Sequence, residues 1–278
     1  LALIKAYWEG AARQRAVSLW SIGSWGGSGF AALFGGLMAQ NVGWRWIFFA
    51  AAAISLLGML MIRGTPESRA ETTGAYKFDT AGVLTFMVMM ISLQVYATQG
   101  SSLGWTSVTS LGLLAAGILF GVLFFRIESG NPNGFVNFTL FRNMTYTGAT
   151  ISNFLLNATA GILIVAMMLV QAGGGMTAQQ AGFLTIGYAV AIVAFIRVGE
   201  KLLQRFGPRR PMIWGSLIVG AAVVCLMPTN LMLGTYRILA VVGFTLFGLG
   251  LAFYATPSTD AALSALPDDQ AGSGSGIY

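Results

Sequence analysis

The chain has 278 residues, 56% of them hydrophobic and only 9% charged, and fifteen basic against nine acidic side chains give a net charge of +6. A soluble domain carries about 25% charged residues, so a surface facing water on all sides is excluded. With no histidine and a single cysteine, Cys225, a conventional zinc site, a disulfide framework and a histidine-based catalytic dyad are excluded as well.

Apolar runs recur along the sequence, and a run of about 18 residues or more is long enough to cross a ~30 Å hydrocarbon core. The runs lack the alternating pattern of barrel strands, and lipid offers backbone amides no partner outside their own helix. The fold is therefore predicted to be an all-α polytopic membrane protein, with eight spans at 17–39, 46–62, 80–98, 108–125, 147–170, 181–198, 211–227 and 236–265. The first span is rich in small residues: Gly23 and Gly27 form a GxxxG step, and Gly26, Gly29, Gly35 and Gly36 extend a surface that lets another helix approach closely. The third carries Gln94 and Thr98. On the fifth, Asn153 and Asn157 share one face at i, i+4, with Gly161 a further turn along. The sixth has Thr185 and Tyr188, and Cys225 sits in the seventh as a small packing residue. In the last span Gly248 and Gly250 precede Pro257, which permits a kink, and Asp260.

Thirteen of the fifteen basic residues fall before the first span or in alternate connections: Lys5, Arg13 and Arg15; Arg63, Arg69 and Lys77; Arg126 and Arg142; Arg197, Lys201, Arg205, Arg209 and Arg210. Arg45 and Arg237 alone are left for the other side. By the positive-inside rule the basic face is cytoplasmic, and Gln99 to Thr106 and Gln171 to Gln180 are outside. The net charge thus reads as topology and not as a nucleic-acid footprint. The sequence has no initiating Met, no signal peptide, and a small-residue stretch at Gly274 to Tyr278 that reads like the start of another helix, so the chain is expected to be a segment of a longer protein.

Polar groups inside spans normally face a bundle interior or a wet cavity, because hydrocarbon leaves them unsatisfied. Asn153 and Asn157 are accordingly candidates for a substrate cavity, together with Gln94 and with the aromatic Phe154, Tyr188 and Tyr254; interhelical hydrogen bonding is the plainer reading of the polar ones. Met167 and Met168 would add an adaptable surface. Asp260 is the one acid well inside a span, beside Thr256, Ser258, Thr259 and Ser264. Removing a carboxylate from water disfavours its charged form, and gaining and losing a proton is what a proton-coupling group must do. The plainer reading is an Asp satisfied by neighbouring hydroxyls and amides. No GxxxxGK[ST] loop is present to bind ATP.

Four stretches, taken in order, resemble the major facilitator superfamily, and within it the fourteen-helix drug:proton antiporters. They are Gly43-Trp44-Arg45-Trp46-Ile47-Phe48, Phe78-Asp79-Thr80-Ala81-Gly82, Leu140-Phe141-Arg142-Asn143, and Ala181-Gly182 with Arg205-Phe206-Gly207-Pro208-Arg209-Arg210. Arg13 to Ala16 with Trp20 to Gly29 looks most like the Nor-type quinolone and multidrug efflux pumps of staphylococci. The resemblance covers the whole chain and implies that its spans correspond to helices five to twelve of fourteen. Residues 1–70 would then be the end of the N-terminal helical half, 71–130 an inserted extra helix pair, and 131–278 part of the C-terminal half.

Two family signatures are altered. In the antiporter signature of helix five, of the form G-x3-G-P-x2-G-G, Gly27, Gly35 and Gly36 fit, but Ala31-Ala32 stand where Gly-Pro is expected, so the helix should bend less. In the cytoplasmic signature G-x-L-x-D-R-x-G-R-R, Leu202, Arg205, Gly207 and Arg209-Arg210 lie near their places. There Gln204 replaces the acid, Pro208 intrudes, and Glu200 takes a glycine position four residues before Gln204, where it is a second proton-coupling candidate or a partner of Arg197 or Lys201. Gly27, Gly35, Gly36, Pro257, Arg205, Gly207 and Arg209 form the expected conformational motif. The resemblance implies proton-coupled export of lipophilic or cationic drugs such as quinolones by alternating access. The protein would act in the bacterial plasma membrane as a monomer, with drugs, protons and the lipid bilayer as its partners, no nucleic acid and no cofactor, and not as an enzyme. The alternatives are a facilitator-fold exporter of an endogenous metabolite or siderophore-like molecule, and a non-transporting membrane sensor.

The orientation is testable. In a cysteine-free full-length protein, single cysteines at Ser102 and Gly174 should react with an impermeant maleimide from outside intact cells, and one at Gln204 should not. Labelling at Gln204, or at neither of the other two, reverses or refutes the assignment.

Overall fold

A computed structural model describes residues 1–65, 78–131, 134, 136–229 and 234–278, and among these there is no strand. Arg69 and Lys77 lie outside the described residues. Among the described residues seven helices are long and apolar enough to cross a membrane: Arg45–Ile62 (α4), Thr80–Leu103 (α5), Val108–Ser129 (α6), Met144–Ala172 (α7), Ala178–Phe206, Arg209–Leu226 (α10) and Gly234–Ala265 (α11). Of these, Ala178–Phe206 is the succession of Ala178–Leu184 (α8) and Ile186–Phe206 (α9). Two shorter helices, Ala2–Tyr7 (α1) and Ala271–Ile277 (α12), lie near the chain ends.

The first predicted span, 17–39, differs from the expectation. It runs as Gly10–Ser21 (α2), a π-helical turn Ile22–Gly26, and Gly27–Asn41 (α3), so no single α-helix there reaches spanning length. Backbone dihedrals stay helical through both junctions, at Ile22, Gly26 and Gly27. The path is thus one helical rod widened in its middle, where the glycines of Ile22-Gly23-Ser24-Trp25-Gly26 leave few side chains to resist the wider turn.

Local signals explain the other boundaries. Asp79 caps α5 by accepting from the Gly82 amide at 3.0 Å, Ser107 caps α6 through Ser110 at 3.2 Å, and Thr177 with Gln180 forms a reciprocal capping box at α8. α9 stops at Gly207, whose φ of +74° is a left-handed conformation that a side chain would strain. Between α8 and α9, Thr185 (φ −86°, ψ −3°) breaks the α-helical register, and its hydroxyl donates to the Gly182 carbonyl at 2.7 Å.

The chain forms two compact units: residues 1–68 with 144–271 and Tyr278, and residues 69–143 with 272–277. The second is built on the α5–α6 hairpin, where Gly117 sits against Leu93 and the Phe86 and Phe124 rings meet at 5.3 Å. In the first, α11 is the central helix: every residue from Tyr254 to Leu263 is buried, as expected for a helix enclosed on all sides. α10 meets it through a pair of glycines, since a Cβ on Gly215 would stand 2.6 Å from the Gly250 carbonyl, and one on Gly250 2.7 Å from that of Gly215. In lipid, where apolar surface gains little from association, such backbone contact is what holds helices together. α4, by contrast, is apolar and has no buried residue.

Only part of the first span's small-residue surface meets another helix among the described residues. A Cβ on Gly27 or Gly35 would meet nothing within 4 Å among the described residues. The close approaches are at Gly29, where a Cβ would lie 2.6 Å from the Tyr188 ring and 2.9 Å from Ala189 Cβ, and at Gly36, 2.6 Å from the Ala178 carbonyl. Of the three glycines assigned to the motif, only Gly36 packs against another helix. Gly29→Ala and Gly36→Ala should each cost the full-length protein about 1–3 kcal/mol, read as a lower unfolding temperature in detergent. Gly27→Ala and Gly35→Ala should leave it unchanged. Equal losses at all four positions would contradict this packing.

Candidate functional site

The polar groups of the first unit gather in three places, each held by the central helix α11. The first is at the basic end of the bundle. Asp260, only 5% exposed, accepts from Arg13 Nε at 2.9 Å through one carboxylate oxygen and from Gln14 Nε2 at 3.2 Å through the other. The Arg13 side chain is itself only 14% exposed. Arg13 and Gln14 are adjacent on α2, so the carboxylate is gripped on two sides by the first span. Pro257, one turn before Asp260, offers no amide to the Phe253 carbonyl, yet α11 runs through it. A second ion pair, Lys5 Nζ to Asp268 Oδ1 at 3.1 Å, joins the same two chain regions. Its carboxylate is solvent-exposed, so that pair adds little.

The second place surrounds the π-turn. The Tyr188 hydroxyl donates to the Trp25 carbonyl at 3.1 Å and lies 3.1 Å from Ser28 Oγ, while Ser28 donates to the same carbonyl at 2.6 Å. The Thr185 hydroxyl reaches the Gly29 carbonyl at 3.3 Å. Tyr188 is also closely packed on the opposite side of α9, where a Cβ on Gly248 of α11 would stand 2.8 Å from Tyr188 Cα. Buried and bonded in this way, Tyr188 pins α9 to the first span.

The third is a run of hydroxyls between α7 and α11. Tyr254, 1% exposed, bonds Ser152 of α7 and accepts from Ser258 at 3.1 Å; Tyr278 donates to Ser258 at 2.8 Å and pairs with Thr259 at 3.2 Å. Asn153 donates to the Tyr278 carbonyl at 2.8 Å, and Asn157 to the carbonyl and side-chain oxygen of Asn153 at 2.9 and 3.1 Å. The asparagine stripe is therefore internally bonded, with Asn153 half-buried and Asn157 exposed. Tyr254 is packed into the interior here. Phe154 on α7 and Gln94 on α5 are exposed.

The altered cytoplasmic signature has its own arrangement. Glu200, 6% exposed, accepts from Gln204 at 3.5 Å through Oε1, while Oε2 lies 3.8 Å from Arg197 Nε and has no hydrogen-bond partner among the described residues. Arg205 and Arg210 lie over the Phe206 ring at 5.1 and 5.8 Å. Arg209 lines a cleft of about 700 Å³ between α7 and α10. None of the six residues assigned to substrate binding lines that cleft. Sequence reasoning missed Arg13 and Gln14 as partners of Asp260, and Ser28 and Ser152 as partners of the two tyrosines. The available signal was the position of Arg13, a cation at the very start of a span on the side where Asp260 ends the last one.

The whole chain, residues 1–278, matches the family model of the Major Facilitator Superfamily. It is 48% identical over 282 residues to the quinolone resistance protein NorB of Staphylococcus aureus strain MRSA252, covering all of this chain and 60% of that protein. The corresponding proteins of strain Newman, 48% identical over 280 residues, and strain JH9, 47% over 282, are covered to the same 60%. The chain thus spans about 60% of the length of the curated relatives it matches. With its helices of spanning length, this is a multi-pass protein of the bacterial plasma membrane, and the chain belongs to the Major Facilitator Superfamily.

Proposed function

We propose that the full-length protein exports amphipathic drugs of the quinolone kind in exchange for protons, by alternating access, and performs no covalent chemistry. The relatives named for quinolone resistance, matched across the entire chain, support the substrate class. The observation that carries the coupling mechanism is the buried Arg13–Asp260 pair.

A guanidinium and a carboxylate in a low-dielectric site hold each other strongly because each would otherwise be an uncompensated charge. A proton on Asp260 cancels the attraction and frees α2 from α11 at the basic end; its loss restores the tie. In a transporter that rocks between two states, such a tie makes the balance of states depend on proton occupancy. Each charge crossing the full potential contributes about 2.3 kcal/mol per 100 mV. Glu200, the second candidate, is a reserve site whose pairing stays within one helix. Gly207, Thr185, Pro257 and the π-turn interrupt regular helical hydrogen bonding, and on this reading the helices bend about them.

Three variants of the full-length protein in proteoliposomes test this reading. Asp260→Asn should bind substrate but fail to concentrate it when a proton gradient is imposed. Arg13→Gln should destabilise the protein by about 3–5 kcal/mol, far more than Arg15→Gln on the exposed side of α2. The exchange Arg13→Asp with Asp260→Arg should recover much of that stability. Gradient-driven accumulation by Asp260→Asn with the parent's pH dependence would place the coupling group elsewhere.

A further inference from the structure

An α-helix turns by about 100° per residue. A π-turn takes one residue more into its ring, so it rotates the helix before it by that amount relative to the helix after it. After the π-turn of the first span, Gly29 packs on Tyr188 and Ala189 of α9, and Gly36 on Ala178 of α8. Before it, the buried side of α2 carries Val17, Ser18 and Ser21, and the same helix presents Arg13 and Gln14 to Asp260. In an unbroken α-helix the side defined by these five residues would lie roughly 90° round from Gly29 and Gly36. With one residue absorbed by the turn, the two sides coincide. The π-turn thus brings the grip on Asp260 and the glycine contacts onto one side of the span.

Two hydroxyls hold that turn. Ser28 and Tyr188 both donate to the Trp25 carbonyl, at 2.6 and 3.1 Å, and Tyr188 is buried on α9. Were the turn to relax into α-helix, α2 would advance by one residue: Gln14 would take the place of Arg13, and Arg15 the place of Gln14. The run Arg13-Gln14-Arg15 therefore offers Asp260 one arginine and one glutamine in either register.

We propose that Tyr188 and Ser28 are positioning residues that select which arginine pairs with Asp260: Arg13 while they hold the π-turn, and Arg15 once it relaxes. The first span can then turn by about 100° on its axis without leaving a buried carboxylate unpaired. The proposal rests on the export reading only for the role of Asp260 as the coupling acid; the choice of arginine follows from helical phase.

The test uses the full-length protein in detergent and reads the unfolding temperature of Arg13→Gln and of Arg15→Gln in three backgrounds. In the parent, Arg13→Gln should lower it and Arg15→Gln should not. In Tyr188→Phe with Ser28→Ala the order should reverse, with Arg15→Gln now giving the larger loss. One alanine inserted between Leu19 and Trp20 moves the Arg13-Gln14-Arg15 run by the same single residue with both hydroxyls in place, and it should reverse the order too. That arm reads the register even where the hydroxyl variant does not fold. A plain packing role for Tyr188 would lower every temperature and keep the parent's order. An order unchanged in either altered background, or a hydroxyl variant indifferent to both arginines, overturns the proposal. The order is read without transport, so accumulation by Asp260→Asn counts against the export reading and leaves the register standing.

Discussion

The arrangement depends on the cost of leaving a charge unpaired in a lipid-embedded bundle. Asp260 sits where every residue of its own helix from Tyr254 to Leu263 is buried, and Arg13 and Gln14 close on it from the first span, which offsets the cost of a carboxylate buried there. That requirement links chain regions almost 250 residues apart. On the proposed reading it also makes the link conditional, because a neutral acid no longer needs the cation.

Everywhere else the bundle is held by contact and not by charge. Apolar side chains gain little by leaving lipid for one another, so association relies on close packing and on hydrogen bonds made where water is absent. Gly215 against Gly250, and Gly29 and Gly36 against α8 and α9, bring backbones together. Tyr188, Thr185 and Ser28 supply the hydrogen bonds beside them. The π-turn and the break at Thr185 lie opposite each other across this contact, so two irregular helices meet where the first span and α8–α9 cross. Regular rods would meet there through fewer polar atoms.

Much of this was legible in the residues. Seven spans follow from hydropathy, and their ends from Asp79, Ser107, Thr177 and Gly207, because caps and apolar length act locally. The π-turn was not legible, since a glycine-rich helix tolerates either register and the residues themselves do not select one. Glycines recur so densely between Gly23 and Gly36 that they mark several faces, and only the partner helix selects Gly29 over Gly27. Tyr188 and Tyr254 have a polar tip and an apolar body, which suit a cavity wall and a packed core equally. Asp260 stood out because acids are rare in spans. Arg13, identical in kind to the topological arginines around it, did not.

The central claim is that proton arrival at Asp260 loosens the first span from the last at the basic end. Spin labels at Ala12 on α2 and Ser264 on α11, both exposed, would report it in the full-length protein by electron–electron distance measurement. At alkaline pH the account predicts one narrow distance distribution, which broadens and lengthens on acidification, and in Asp260→Asn is broad at every pH. A distribution unchanged by pH in the parent, or a narrow one in Asp260→Asn, would contradict it.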